Sequence, residues 1–317
     1  MTKAVPKSKL TKTSKAHPKK KASIKRTAVV EAVATVPRAK VPSVWQLTKQ
    51  PSLLLWRHWR LFTGITLVYS LLTVILAQSL AGTSATTLKT QLSQAAGGHL
   101  SGLASSALVF TGLIGSAGSK ASGAAGANQF FLSLIASLAI IWALRQTVAG
   151  QTLRIRDAYY KGVYPLVPFV LVLLVIGLQL LPMVVGSSVY AIVISQGIAV
   201  HVYEKIIWAS IFGLLTLLTL YWLASSLFGL YIVTLPDMTP LKALRSARQL
   251  VRGRRWTVLR KLLFLPLLLL LVAAVVMLPF IIWLTPLATY VFFLLGSFAL
   301  LAVHSYMYGL YRDLLNE

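Results

Sequence analysis

The chain contains no cysteine and only six acidic residues among 317. Without cysteine it has no disulfide, no thiolate metal site and no cysteine nucleophile. Charge of either sign is scarce: 12% of residues are charged, against about one-quarter in soluble domains. A water-soluble globule of this length would need more polar surface. The acids are Glu31, Asp157, Glu204, Asp237, Asp313 and Glu317, and none falls in the middle of a long apolar run. Paired-carboxylate catalysis needs two acids brought together. Asp157 and Asp237 are the candidates by position, but their spacing does not argue for it. Asp157, Asp237 and Asp313 stand at the ends of apolar runs near Arg156, Lys242 and Arg312, where local pairing and helix-end electrostatics account for them. The histidines, His17, His58, His99, His201 and His304, show no metal-ligand spacing. There is no Walker loop, dinucleotide fingerprint or Gly-x-Ser-x-Gly elbow. No catalytic, cofactor-binding or metal-binding residue is therefore assigned, and no cofactor is expected.

What the chain does have is apolar length: 57% of its residues are hydrophobic. A membrane-spanning helix needs about 20 apolar residues. Runs of that kind predict six spans, at about 61–80, 123–144, 164–185, 206–235, 262–283 and 287–310. The last two are divided at Thr285-Pro286, because proline removes a backbone donor and clashes with the preceding turn. The first run is too long, and too far from the N-terminus, for a cleaved signal peptide. With the N-terminus in the cytoplasm, every Lys and Arg except Lys89, Lys120 and Lys205 falls on the cytoplasmic side, as the positive-inside rule requires. A seventh span at Ser187–Val202 would put the arginine-rich stretch 242–261 outside. That segment is expected as an outer-surface or re-entrant helix.

Between the first two spans, residues 81–122 form an outer loop rich in Ala, Gly, Ser and Thr. It reads either as a flexible linker or as a surface lid or docking element. Aromatic residues at span ends suggest headgroup-depth positions: Trp56, Trp59, Tyr159, Tyr160, Tyr164, Trp256, Tyr306, Tyr308 and Tyr311. Gly296, Ala299 and Ala302 make a small-residue stripe suited to close helix packing. His304 is the ionisable side chain within a span, and such a group is a functional hypothesis by default. A neutral histidine bonded to a neighbouring helix is the preferred reading over a proton relay.

The basic residues concentrate at two places. Residues 1–42 mix Lys with Ala, Pro, Ser, Thr and Val and contain no aromatic residue, the profile of a disordered cytoplasmic tail. A polybasic segment beside a span gains roughly 1 kcal/mol per basic residue at an anionic leaflet. Anionic lipid is thus the favoured contact over a purely topological tail, and the lack of stacking aromatics disfavours nucleic acid. The second concentration is Leu241–Lys261. Leu241, Leu244, Leu250 and Val251 can share one helix face, with basic residues around it, the pattern of an interfacial helix. The candidate anionic-lipid contacts are Lys19, Lys20, Lys21, Lys25, Arg26, Arg57, Arg60, Arg245, Arg248, Arg252, Arg254 and Arg255.

Similar basic-aromatic stretches, Trp45–Phe62 and Thr152–Tyr164, precede the first and third spans. Within Leu241–Trp256, the pattern Ala243, Leu244, Ser246, Leu250, Gly253 and Trp256 resembles a segment of six-span bacterial membrane proteins. Among these is the family named for the membrane domain of glycerophosphoryl diester phosphodiesterase. Asp157, Ala158, Tyr159 and Gly162 resemble a shorter version of the same motif. The resemblance covers residues 43–315 in layout and implies an architecture without an activity; no soluble phosphodiesterase stretch accompanies it.

The expected fold is an all-α polytopic integral membrane protein. Residues 43–317 form its six-helix membrane domain, arranged as three helical hairpins, each preceded by a cytoplasmic interfacial helix. The expected location is the plasma membrane, multi-pass, with both termini cytoplasmic. The expected function is non-catalytic, with the tail and interfacial helices contacting anionic lipid or a membrane-associated partner. A transporter or permease for a small substrate is the alternative, and a lipid-modifying enzyme the third.

Overall fold

The computed structural model describes residues 52–77 and 123–315; the expected tail at 1–42 and outer loop at 81–122 lie outside them, as do Lys19, Lys20, Lys21, Lys25 and Arg26. All regular elements among the described residues are helical: α1 (Trp59–Ala77), α2 (Gly123–Val148), α3 (Ile155–Gly162), α4 (Leu166–Ser195), α5 (Val202–Ile232), α6 (Pro240–Leu250), α7 (Arg255–Trp283) and α8 (Thr285–Leu315). Six of them, all but α3 and α6, are long and apolar enough to cross a membrane. Hydrocarbon cannot satisfy backbone polar groups, so a helix is the form such segments take. Hydroxyls within the spans follow the same constraint by bonding back one turn. Thr66, Ser70 and Thr73 on α1 donate to Phe62, Thr66 and Tyr69 carbonyls at 2.9, 2.9 and 2.8 Å. Ser137 and Thr147 on α2 do likewise, each at 2.7 Å.

One expectation is corrected. Ser187–Ser195 is not a separate surface or re-entrant helix; it is the last part of α4, and the chain turns only after Ser195. Two features keep the helix going. Ser187 and Ser188 both donate to the Val184 carbonyl, at 2.8 and 2.9 Å, so their hydroxyls need no exit to water. Gly186 also lies flat against Leu215 and Phe212 of α5, which keeps α4 seated on its neighbour. The turn comes at Gly197, whose φ of +66° suits glycine. The carboxylate of Glu204 then caps α5, accepting from the Val200 and His201 amides at 2.8 and 3.1 Å.

The described basic residues, apart from Lys205, gather where α1, α4 and α7 begin and α2, α5 and α8 end. The main core lies at that same end. Its large, fully enclosed members include Phe62, Ile65, Leu138, Ile141, Leu144, Phe169, Val172, Phe228 and Leu310. A smaller cluster of Met277 and Ala288 links α7 and α8 near their junction. Elsewhere the spans present Leu, Val and Ile outward, including Leu67, Leu71, Leu174, Leu214 and Leu267.

The two short helices pack on protein. Ala158 of α3 is fully buried, and Gly162 approaches the Ala139 backbone of α2 so closely that a Cβ would sit 3.0 Å from its Cα. The Tyr159 hydroxyl donates to the Ile65 carbonyl of α1 at 2.8 Å, and burial holds that phenol well above the usual tyrosine range. Helix α6 buries Ala243, Leu244 and Ala247, and Val251 just beyond it, in the main core. Leu244 sits against Gly229 of α5. The face expected to dip into lipid therefore meets protein, and Leu241, expected on that face, is 78% exposed. The amphipathic pattern is real, but its apolar side follows the small residues that allow close approach. Of the aromatic residues near span ends, Tyr306, Tyr308 and Tyr311 are core residues, whereas Tyr160, Tyr164 and Trp256 are exposed.

Substituting Gly162→Val should lower stability by roughly 1–3 kcal/mol, because the clash is with backbone and cannot be relieved by a rotamer change. Gly177→Ala and Gly296→Ala, where a Cβ meets nothing within 4 Å, should be neutral or slightly stabilising. Thermal unfolding of the purified protein in detergent measures both.

Candidate functional site

Arg145 ends α2 and was legible in the sequence only as one of the topology charges. Its Nη1 donates to the Thr234 carbonyl at 2.8 Å, and its Nη2 to the Tyr231 carbonyl at 3.3 Å and to Thr234 Oγ1 at 2.6 Å. The last carbonyls of a helix have no intrahelical donor and carry the negative end of its dipole. A guanidinium with five donors in a planar fork meets both needs at once. Tyr231, Tyr308 and Tyr311 cluster around this point with ring centroids 6.2–6.4 Å apart. The Tyr231 hydroxyl shares a 3.0 Å hydrogen bond with His304 Nδ1. His304 is buried and bonded to a neighbouring helix through a phenol; no carboxylate is among its hydrogen-bond or ring partners. The arrangement ties α2, α5 and α8 together.

Two cavities open at the basic end. The first, about 640 Å³, is lined by Arg57, His58, Trp59, Arg60 and Leu61 at the start of α1, and by Leu153, Arg154 and Ile155 at the start of α3. The Arg60 guanidinium lies 5.9 Å from the Trp59 ring centroid. The second, about 430 Å³, is lined by Gln179 of α4, Trp222, Ser225 and Ser226 of α5, Arg248 of α6 and Arg255 of α7. Four elements converge on it. Trp222, Ser225 and Ser226 share a face of α5 by their spacing. Arg248 stands on the polar side of α6, and Arg255 is the first residue of α7. The Arg255 guanidinium is held over the Tyr221 ring, 4.4 Å from its centroid, a cation–π arrangement that fixes its direction.

The second cavity is the stronger candidate site. No carboxylate lines it, so its two arginines have no acid beside them among the lining residues. Gln179 Oε1 and Ser226 Oγ are buried and have no hydrogen-bond partner, an arrangement that costs free energy unless something polar enters. The Ser225 hydroxyl is already engaged, with the Trp222 carbonyl at 2.9 Å. Along α5, Trp222 is roughly 15 Å from the Ile232 end, about half of a ~30 Å hydrocarbon layer. The cavity thus joins arginines carried by α6 and α7 to polar atoms buried within the bundle.

Of the basic residues singled out in the sequence, Arg57 and Arg60 come together at the first cavity, and Arg248 and Arg255 at the second. Arg245, Arg252 and Arg254 line neither. Arg145 and Gln179 were missed. Gln179 carried a readable signal, since an amide inside an apolar run is expensive unless it is paired or functional.

Replacing Arg145 by Gln should cost about 2 kcal/mol, since it removes charge-assisted hydrogen bonds to the end of α5 beside buried aromatics. Arg145→Lys should recover only part of that, because one ammonium cannot span both carbonyls. Tyr231→Phe and His304→Ala should show a coupling of roughly 1 kcal/mol in a double-mutant cycle of thermal or denaturant unfolding; strict additivity would show that their bond contributes nothing. No protein family, curated protein or solved structure matches the chain.

Proposed function

We propose that this is a non-catalytic, multi-pass integral membrane protein whose basic end engages anionic lipid headgroups or a membrane-associated partner. On this reading it lies in the plasma membrane with both termini in the cytoplasm. It is built as helical hairpins preceded by basic surface helices, the layout suggested by the glycerophosphoryl diester phosphodiesterase membrane-domain resemblance. The single observation that carries the reading is the pair of arginine-lined cavities at one end of the bundle, neither of which contains a carboxylate. Arginine forks suit phosphate oxygens, and exposed Trp56, Trp59, Tyr160, Tyr164 and Trp256 at that end suit headgroup depth. The basic tail would add attraction to an anionic leaflet that salt screens.

A transporter or permease for a small substrate is the second reading. It is favoured by the polar lining of the second cavity within the bundle, where Gln179 and Ser226 hold buried polar atoms without hydrogen-bond partners. Substrate sites in transporters are found near the bilayer midplane.

Two measurements test the proposal. In proteoliposomes of the full chain, spin-labelled phosphatidylglycerol should be enriched over spin-labelled phosphatidylcholine in the lipid shell, and the preference should shrink at high salt. Equal association of the two lipids would overturn the reading. Orientation is open to cysteine mapping, because the chain has no cysteine of its own. Ser246→Cys should react with an impermeant maleimide only after the inner face is exposed, and Ser187→Cys should react in intact cells; the reverse pattern would invert the topology.

A further inference from the structure

We propose that the cavity between α4, α5, α6 and α7 is a stoichiometric binding site for one phosphate-bearing molecule. The inference rests on the anionic-lipid reading and names its site. Three observations converge. Arg248 and Arg255 come from different helices and reach the same 430 Å³ space, with no acid among the lining residues. Two like charges brought together in a partly desolvated place repel, and a dianionic group between them reverses the sign of that interaction. Arg255 is already oriented by the Tyr221 ring, so little side-chain freedom is lost when it binds. In the same cavity, the buried Ser226 hydroxyl and Gln179 amide oxygen have no hydrogen-bond partner. A phosphate ester offers oxygens to the guanidiniums and to the serine hydroxyl. Hydroxyls of the esterified alcohol can donate to the amide oxygen.

The surroundings suit a lipid as the source of the phosphate. Leu218, one turn from Trp222 on the same face of α5, is exposed, as is Leu178 beside Gln179. An acyl chain can lie on them without entering the main core. Free phosphate would use the same arginines but gain nothing from this apolar flank.

The test uses the full chain in detergent and calorimetric titration with short-chain phosphatidic acid. Saturable binding with one molecule per chain is expected. Arg248→Gln and Arg255→Gln should each weaken it roughly tenfold or more, the loss expected for a charge-assisted hydrogen bond to phosphate. Lys242→Gln, which removes a neighbouring charge outside the cavity, should leave the affinity unchanged. Elution profile and melting temperature report whether each variant is folded. Inorganic phosphate distinguishes the sources: competition only at far higher concentration assigns the site to a lipid headgroup, whereas competition at equal concentration assigns it to free phosphate. Absence of saturable binding in the native chain, or equal losses in the Arg248, Arg255 and Lys242 variants, overturns the site. If that happens while proteoliposomes still enrich anionic lipid, the site alone has failed. If the enrichment is also absent, the functional reading has failed with it.

Discussion

The grip of Arg145 on the end of α5 is the contact on which the basic end of this protein turns. A helix that stops inside a packed apolar cluster leaves carbonyls without intrahelical donors. Here the Tyr231 and Thr234 carbonyls accept from one guanidinium carried by α2. The same few ångströms hold the tyrosines of α8 and the Tyr231–His304 bond. Three spans are thereby tied at one level by polar contacts that lose most if pulled apart in a low-dielectric setting. In lipid, where apolar burial supplies little net drive between helices, such contacts and close small-residue packing set the arrangement.

That principle explains why the enclosed core sits at the basic end. Small residues allow the short helices to approach the spans: Ala158 and Gly162 on α3, Ala243 and Ala247 on α6, and Gly229 on α5. The short helices then present their charged faces outward in fixed positions. Arg248 and Arg255 reach a common cavity because α6 is locked against α5 and a tight turn at Gly253, φ +83°, leads directly into α7. A mobile basic helix floating in the headgroup layer would share its charges with many lipids. One anchored in the core can build a defined place for a single anion.

Much of the architecture was legible in the chain itself. Apolar run lengths placed six spans, and the proline at 286 marked the division between α7 and α8, which meet at Leu284. The failures share a cause. Ser187–Ser195 was set apart because a seventh span there would have put the stretch 242–261 outside, yet it continues α4, and its first serine hydroxyls bond back to their own backbone. Leu241 was expected to share a face with Leu244 and Val251, yet they are buried while it is exposed. Composition cannot tell a tyrosine that faces lipid from one that faces another helix. Arg145 looked like any other charge at a span end.

The sequence by itself determined what the solvent of each segment must be. Length and apolarity commit six helices to a membrane-like environment, and the clustering of Lys and Arg separates one end from the other, because transfer of charge and backbone polarity into hydrocarbon is too costly for any alternative. Only the tertiary structure decided which side chains meet. Arg248 and Arg255 with Gln179 and Ser226, or Arg145 with the end of α5, lie on elements far apart in the chain. Their meeting depends on helix rotation and on sub-ångström clearance at glycine and alanine, which no one-dimensional pattern encodes.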